Sequence, residues 1–178
     1  VSPTVRAESA LRHVHIDRHS APPDADLVFG CLNIRSVANK LEDLLEVRQD
    51  QRLDVTFLVE TWADSDSVSL RRMRADGLQV IDRPRPRTPS HVNTLATNHG
   101  GIAVIASPGI RLSQLNTGLK PTPYELLCVR IVANKSSCVA AVVYRPGSDA
   151  VTTTFFTELS DLLDRLATFV DQIGRAHV

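Results

Sequence analysis

Aromatic residues are scarce in this chain: they make up 4% of its 178 residues, with one Trp and two Tyr. Cysteine is scarce too. Three Cys at wide spacing, an odd number, argue against a disulfide framework and fit a reducing compartment. Net charge is missing, because twenty Lys plus Arg balance twenty Asp plus Glu. That balance excludes a highly basic nucleic-acid coat and an acidic tail protein, but not a nucleic-acid enzyme with a local basic patch. No apolar run approaches the roughly 18 residues of a membrane span, and the polar first residues hold no signal-peptide core. An intracellular protein, neither secreted nor membrane-bound, is expected. No Cys/His spacing resembles a zinc site. Cys31, Cys128 and Cys138 each lie in an apolar stretch, where the thiol acts as a small hydrophobe.

What is present is the mix of a globular domain, or part of one: 43% hydrophobic and 22% charged residues, enough to bury a core. Residues 1–26 are polar and carry a His/Arg cluster (Arg12, His13, His15, Arg18, His19) closed by Pro22-Pro23-Asp24. They read as a flexible leader rather than a metal site. The last six residues, Ile173-Gly174-Arg175-Ala176-His177-Val178, match one translated frame of a common sequencing adapter and are expected to be a tail foreign to the fold. Residues 27–172 remain for fold reasoning.

The apolar run 27–32 predicts a buried strand. Asn39 can cap a following helix, with Glu42 closing a capping box and Leu41, Leu44 and Leu45 giving its apolar stripe. Residues 54–59 predict a second strand, 67–75 a short basic helix and 78–81 a short strand. Residues 83–98 are irregular, with three Pro and three Arg. Strands are then expected at 102–106, 110–115, 124–132 and 138–144, the last two joined by a turn at 133–137. Phe156, Leu159, Leu163, Leu166 and Val170 keep a helical period behind a Thr152–Thr154 cap. A strand–helix–strand opening implies a parallel pair, and the later strands look antiparallel. The expected class is α/β (α+β), with mixed sheets covered by helices.

A right-handed crossover brings the ends of two parallel strands to one rim, where open sheets bind ligands. Asn33 follows the first strand and Glu60 the second. A carboxylate and an amide converging there suit a hard cation, which keeps waters and substrate oxygens in its shell. The two Cα atoms are expected within roughly 10 Å of each other. Tyr144 is expected to face the same rim, in an open groove, with no carboxylate from a later strand beside Glu60.

Asn33-Ile34-Arg35-Ser36, Glu60-Thr61-Trp62, Gly100-Gly101 and Tyr144-Arg145-Pro146, each at a predicted strand end, together resemble the endonuclease/exonuclease/phosphatase superfamily. More narrowly they resemble the apurinic-type endonuclease domain of non-LTR retrotransposons. The resemblance implies a four-layer DNase-I-like sandwich, two mixed β-sheets flanked by helices, and Mg²⁺- or Mn²⁺-dependent phosphodiester hydrolysis on DNA. A reverse transcriptase domain would follow in a longer, nuclear protein. By the same resemblance Glu60 is the metal-ligating carboxylate, Asn33 orients the scissile phosphate or metal-bound water, and Tyr144 hydrogen-bonds the phosphate. Arg145, Arg85 and Arg87 are candidate phosphate contacts, and Trp62 is assigned to packing beneath the site. Arg71, Arg72 and Arg74 either track a DNA backbone or form a solvated face.

The family pattern continues with Gly-Asp-x-Asn and Ser-Asp-His, neither of which occurs here. The chain therefore reads as the N-terminal part of such a domain, truncated before its general base and inactive as it stands. Two other functions stay open: a phosphatase of the same superfamily acting on a small phosphoester, and a non-catalytic truncated product.

Overall fold

The computed structural model describes residues 27–64, 66–86, 99–133, 136–147 and 150–175, with side chains to residue 169. The proposed leader, Arg87, and part of the turn between the last two strands lie outside the described residues. The chain runs β1 (Phe29–Asn33), α1 (Leu41–Asp50), β2 (Val55–Val59), α2 (Val68–Ala75), β3 (Gln79–Arg83), β4 (Ile102–Ala106), β5 (Ile110–Gln114), β6 (Glu125–Ala133), β7 (Ser136–Tyr144) and α3 (Thr153–Arg175). Among the described residues no helix is long and apolar enough to cross a membrane.

Two sheets form, with strand orders β1-β2-β4-β3 and β5-β6-β7. β1 and β2 are parallel, as the crossover through α1 requires, and β4 is antiparallel to both its neighbours. The second sheet is antiparallel throughout, a correction to the expectation of two mixed sheets. Its strands follow one another through short connections, and a parallel pair would need a long crossover.

Alternating side chains assign the layers. On β4, Ala103 and Ile105 pack with Leu41, Leu44, Leu70 and Met73 beneath α1 and α2. Ile102, Val104 and Ala106 face the other way, against Leu127, Val129 and Ile131 of β6. The alternate β6 residues Leu126 and Cys128 pack under α3 with Leu162. The order is helices, sheet, sheet, helix: an α+β four-layer sandwich of the DNase-I-like type. β4 is buried at every residue because both its faces are covered.

Local signals held where tertiary contacts agreed with them. Ser67 caps α2 by accepting the Leu70 N–H, and Thr152 accepts the Phe155 N–H at the start of α3. The Asn39 capping box does not form. α1 begins at Leu41 behind Lys40, with no side-chain cap, because the preceding loop is fixed from outside by the Val37 N–H on the Thr61 carbonyl. Glu42 instead pairs with Arg72 of α2. Cys31 also departs from its apolar setting: among the described residues β1 stands at the edge of its sheet, and the thiol is exposed. α3 continues past Gln172.

One buried charge ties α1 to the first sheet. Arg48, 6% exposed, donates to Thr56 Oγ1, to the Ile105 carbonyl and to Ser107 Oγ. Burial pulls its pKa down, partly offset by Asp54. Replacing Arg48 by Ala strands these acceptors, and urea denaturation should register a loss of about 2 to 3 kcal/mol. A change within the scatter of surface variants would show that the helix does not depend on this anchor.

Candidate active site at the sheet rim

In the parallel register Asn33 pairs with Val59, so Asn33 ends β1 beside the start of Glu60-Thr61-Trp62. Backbone bonds then extend the sheet beyond its strands. The Ser36 N–H donates to the Glu60 carbonyl, and the Thr61 and Trp62 N–H groups donate to the carbonyls of Gly101 and Gly100. Holding three loops together this tightly puts side chains into unusual backbone conformations. Among the described residues five non-glycines have positive φ, and four are here: Arg35, Ser36, Glu60 (+55°) and Trp62 (+52°). Each costs on the order of 1 kcal/mol or more, a cost that collects at functional sites.

The strained turn presents the Glu60 carboxylate to donors from both sheets. Asn33 Nδ2 donates to Glu60 Oε1 at 2.8 Å, and the Tyr144 hydroxyl donates to the same oxygen at 2.6 Å. Tyr144 ends β7, so it reaches Glu60 across the sandwich from the opposite sheet. Glu60 Oε2 lies 3.9 Å from Arg35 Nε. The Arg35 side chain is 67% exposed and that of Glu60 16%, so the carboxylate is more covered than an open groove implies.

Burial pushes the Glu60 carboxyl up, but the hydrogen bonds from Tyr144 and Asn33 and the charges of Arg35 and Arg85 outweigh it. The group stays below its ordinary range and ionised. Burial, the bond to Glu60 and that group's charge push the Tyr144 phenol up to about 12, so it remains a protonated donor.

Arg85 arrives already engaged: its Nε donates to Glu125 Oε1 at 2.6 Å, within an ion pair. Arg145 donates to the Pro146 carbonyl and lies over the Phe155 ring. Arg72 and Arg74 are paired with Glu42 and Asp82 in the helical layer and at β3. Trp62 stacks on His99 with ring centroids 4.2 Å apart, and its buried Nε1 has no hydrogen-bond partner among the described residues. A groove of about 460 Å³ opens beside the rim, lined by Arg85, Pro86, Thr122, Glu125 and Pro146 among others.

Sequence reasoning gave no part to Arg35 or Glu125. Arg35 lay inside the quoted motif, where its charge was the available signal. Glu125 is a second carboxylate at this rim, opposite Tyr144 in the β6–β7 register. Counting back from the closing pair Ala133–Ser136 finds it, but the expected turn was too long for that count. Among the described residues no three acidic, His or Cys side chains gather as a metal cage.

No protein-family model matches the sequence, and no curated protein aligns with it. Solved structures do match. The catalytic domain of human Nocturnin, with bound sulfate, superimposes with a TM-score of 0.54 at 20% identity, over 78% of this chain and 56% of that one. A 3′ phosphatase, NExo from Neisseria, bound to a product DNA hairpin, gives 0.48 at 14% identity over 83% and 52%. The 3′-5′ exonuclease NExo from Neisseria meningitidis gives 0.48 at 14% over 83% and 53%. The chain thus spans just over half the length of the structures it matches.

Because folding lowers the Glu60 pKa, the group contributes stability that is complete above the ordinary carboxylate range. That contribution is lost as pH falls through its lower folded value. Urea midpoints of the native chain should drop across that window, and Glu60→Gln should remove this part of the drop. Identical pH profiles for the two proteins would contradict the geometry. With its DNase-I-like four-layer sandwich, the chain shares the fold of the Nocturnin catalytic domain.

Proposed function

We propose that this chain carries the metal- and phosphate-binding half of a divalent-cation-dependent phosphodiesterase acting on DNA. Its nearest functional type is the DNA-nicking endonuclease of non-LTR retrotransposons, with a reverse transcriptase further along a longer, nuclear protein. One observation carries the reading: a carboxylate kept ionised at the sheet rim, with one oxygen saturated by donors from both sheets and the other turned toward the exposed Arg35.

That donor set fits Mg²⁺ or Mn²⁺ bound through a single carboxylate oxygen, because displacing Arg35 from an exposed pairing costs little. When bound, the cation polarises a phosphoryl oxygen and steadies the leaving oxygen. The protein's own groups do the rest. Asn33 keeps a second amide N–H for a scissile phosphate or an attacking water. Tyr144 can turn its retained proton from Glu60 to a phosphate oxygen, a fixed donor aimed at developing charge. Arg35 and Arg145 supply positive charge for the backbone, with Arg85 and Arg87 on the segment leading away from β3. The ordered motifs at four strand ends favour the retrotransposon type over a small-molecule phosphatase.

Mn²⁺ binding, followed by the electron paramagnetic resonance of the free ion, should weaken at least about tenfold in Glu60→Gln, the loss of one charged contact of about 1.4 kcal/mol or more. Equal affinity in both proteins would remove Glu60 from the metal site. The 178-residue chain should leave supercoiled plasmid un-nicked with Mg²⁺, since it lacks the family's general base. Metal-dependent nicking abolished by Glu60→Gln would overturn the expectation of inactivity. Turnover of small phosphoesters instead would favour the phosphatase.

A further inference from the structure

Glu125 has no part in the roles given above, yet it sits where three loops meet. It opens β6 directly across from Tyr144. Its Oε2 accepts the Gly101 N–H at 2.7 Å, and its Oε1 accepts Arg85 Nε at 2.6 Å. Gly101 in turn accepts the Thr61 N–H through its carbonyl, one residue from Glu60. The bonds close a circuit: from Glu60 across the sandwich to Tyr144, along the β6–β7 ladder to Glu125, through Gly101 to Thr61, and back to Glu60.

The glycines are shaped to this circuit. A Cβ on Gly100 would collide with the Arg85 guanidinium and stand 2.5 Å from Glu125 Oε1. Gly101 has φ +89°, and a Cβ there would lie 2.6 Å from Thr61 Oγ1. The Gly100-Gly101 pair is thus a slot that the Arg85–Glu125 ion pair fills. Glu125 is half-buried, with a side-chain exposure of 17%, and both its oxygens are engaged.

We propose that Glu125 is a positioning residue: by seating Arg85 in the Gly100-Gly101 slot and holding the Gly101 N–H, it sets the Tyr144 hydroxyl on Glu60. It acts through Tyr144 and needs no contact with substrate. The inference rests on reading Glu60 and Tyr144 as the working pair. It concerns their alignment in the metal-free protein, so a failure of Mn²⁺ binding would count against that reading and leave this one standing.

The chain has two tyrosines, which makes the test direct. With ¹³Cζ-labelled tyrosine, two NMR signals report two hydroxyls. Tyr124 donates to the Glu158 carbonyl on α3, outside the circuit, and serves as the internal control for folding. In Glu125→Gln the Tyr144 signal should move toward the position it takes in Glu60→Ala, while the Tyr124 signal stays in place. A Tyr144 signal unmoved in folded Glu125→Gln would overturn the proposal, because a residue serving only general stability would leave that hydroxyl where it is. Gly100→Ala, which expels the ion pair while keeping both charges, should give the same shift if Glu125→Gln does not fold. Loss of the Tyr124 signal position in both variants would also count against the proposal, since Glu125 would then serve the whole fold and not the rim.

Discussion

A single carboxylate oxygen, Oε1 of Glu60, receives Asn33 from the first sheet and Tyr144 from the second, and much of the local structure is arranged around that convergence. Both donors lower the cost of keeping an ionised group 16% exposed at the edge of an apolar sandwich. Without them burial would favour the neutral acid, which makes a poor cation ligand. The same bonds that stabilise the charge leave the second oxygen turned toward Arg35.

Reaching that geometry needs an unfavourable backbone. Glu60 and Trp62 both adopt left-handed conformations, and so do Arg35 and Ser36 on the neighbouring loop. The bonds from Ser36, Thr61 and Trp62 to facing carbonyls hold the turns in place, and Gly100 and Gly101 let the next loop approach closely enough to accept two of them. Local strain is thus offset by a network drawn from β1, β2 and β4, all of which are fixed by burial behind the rim. The fold shared with Nocturnin supplies that rigid base.

Much of this was legible in the sequence because the deciding signals were local. Residues 102–106 read as a strand and form β4 over the same bounds, since an uninterrupted apolar run between Gly-Gly and Pro-Gly leaves little choice. The parallel pairing of β1 and β2 followed from the helix between them, and it placed Asn33 and Glu60 at one rim. What could not be read was decided by contacts distant in sequence. Nothing in residues 138–144 says that Tyr144 approaches from the other sheet. The Asn39 cap was a sound local pattern overruled by the loop bond from Val37 to Thr61. Arg85 read as a candidate phosphate contact on an irregular segment, and its partner Glu125 lies forty residues further along the chain.

The bridge between the sheets can be measured directly with a double-mutant cycle on Glu60→Ala and Tyr144→Phe, reading stability by urea denaturation at neutral pH. A charge-assisted bond at 2.6 Å between a retained phenol proton and an ionised carboxylate should give a coupling energy of about 2 kcal/mol. Additive effects, with coupling near zero, would mean that Tyr144 and Glu60 do not hold one another in solution and that the rim is not organised around this carboxylate.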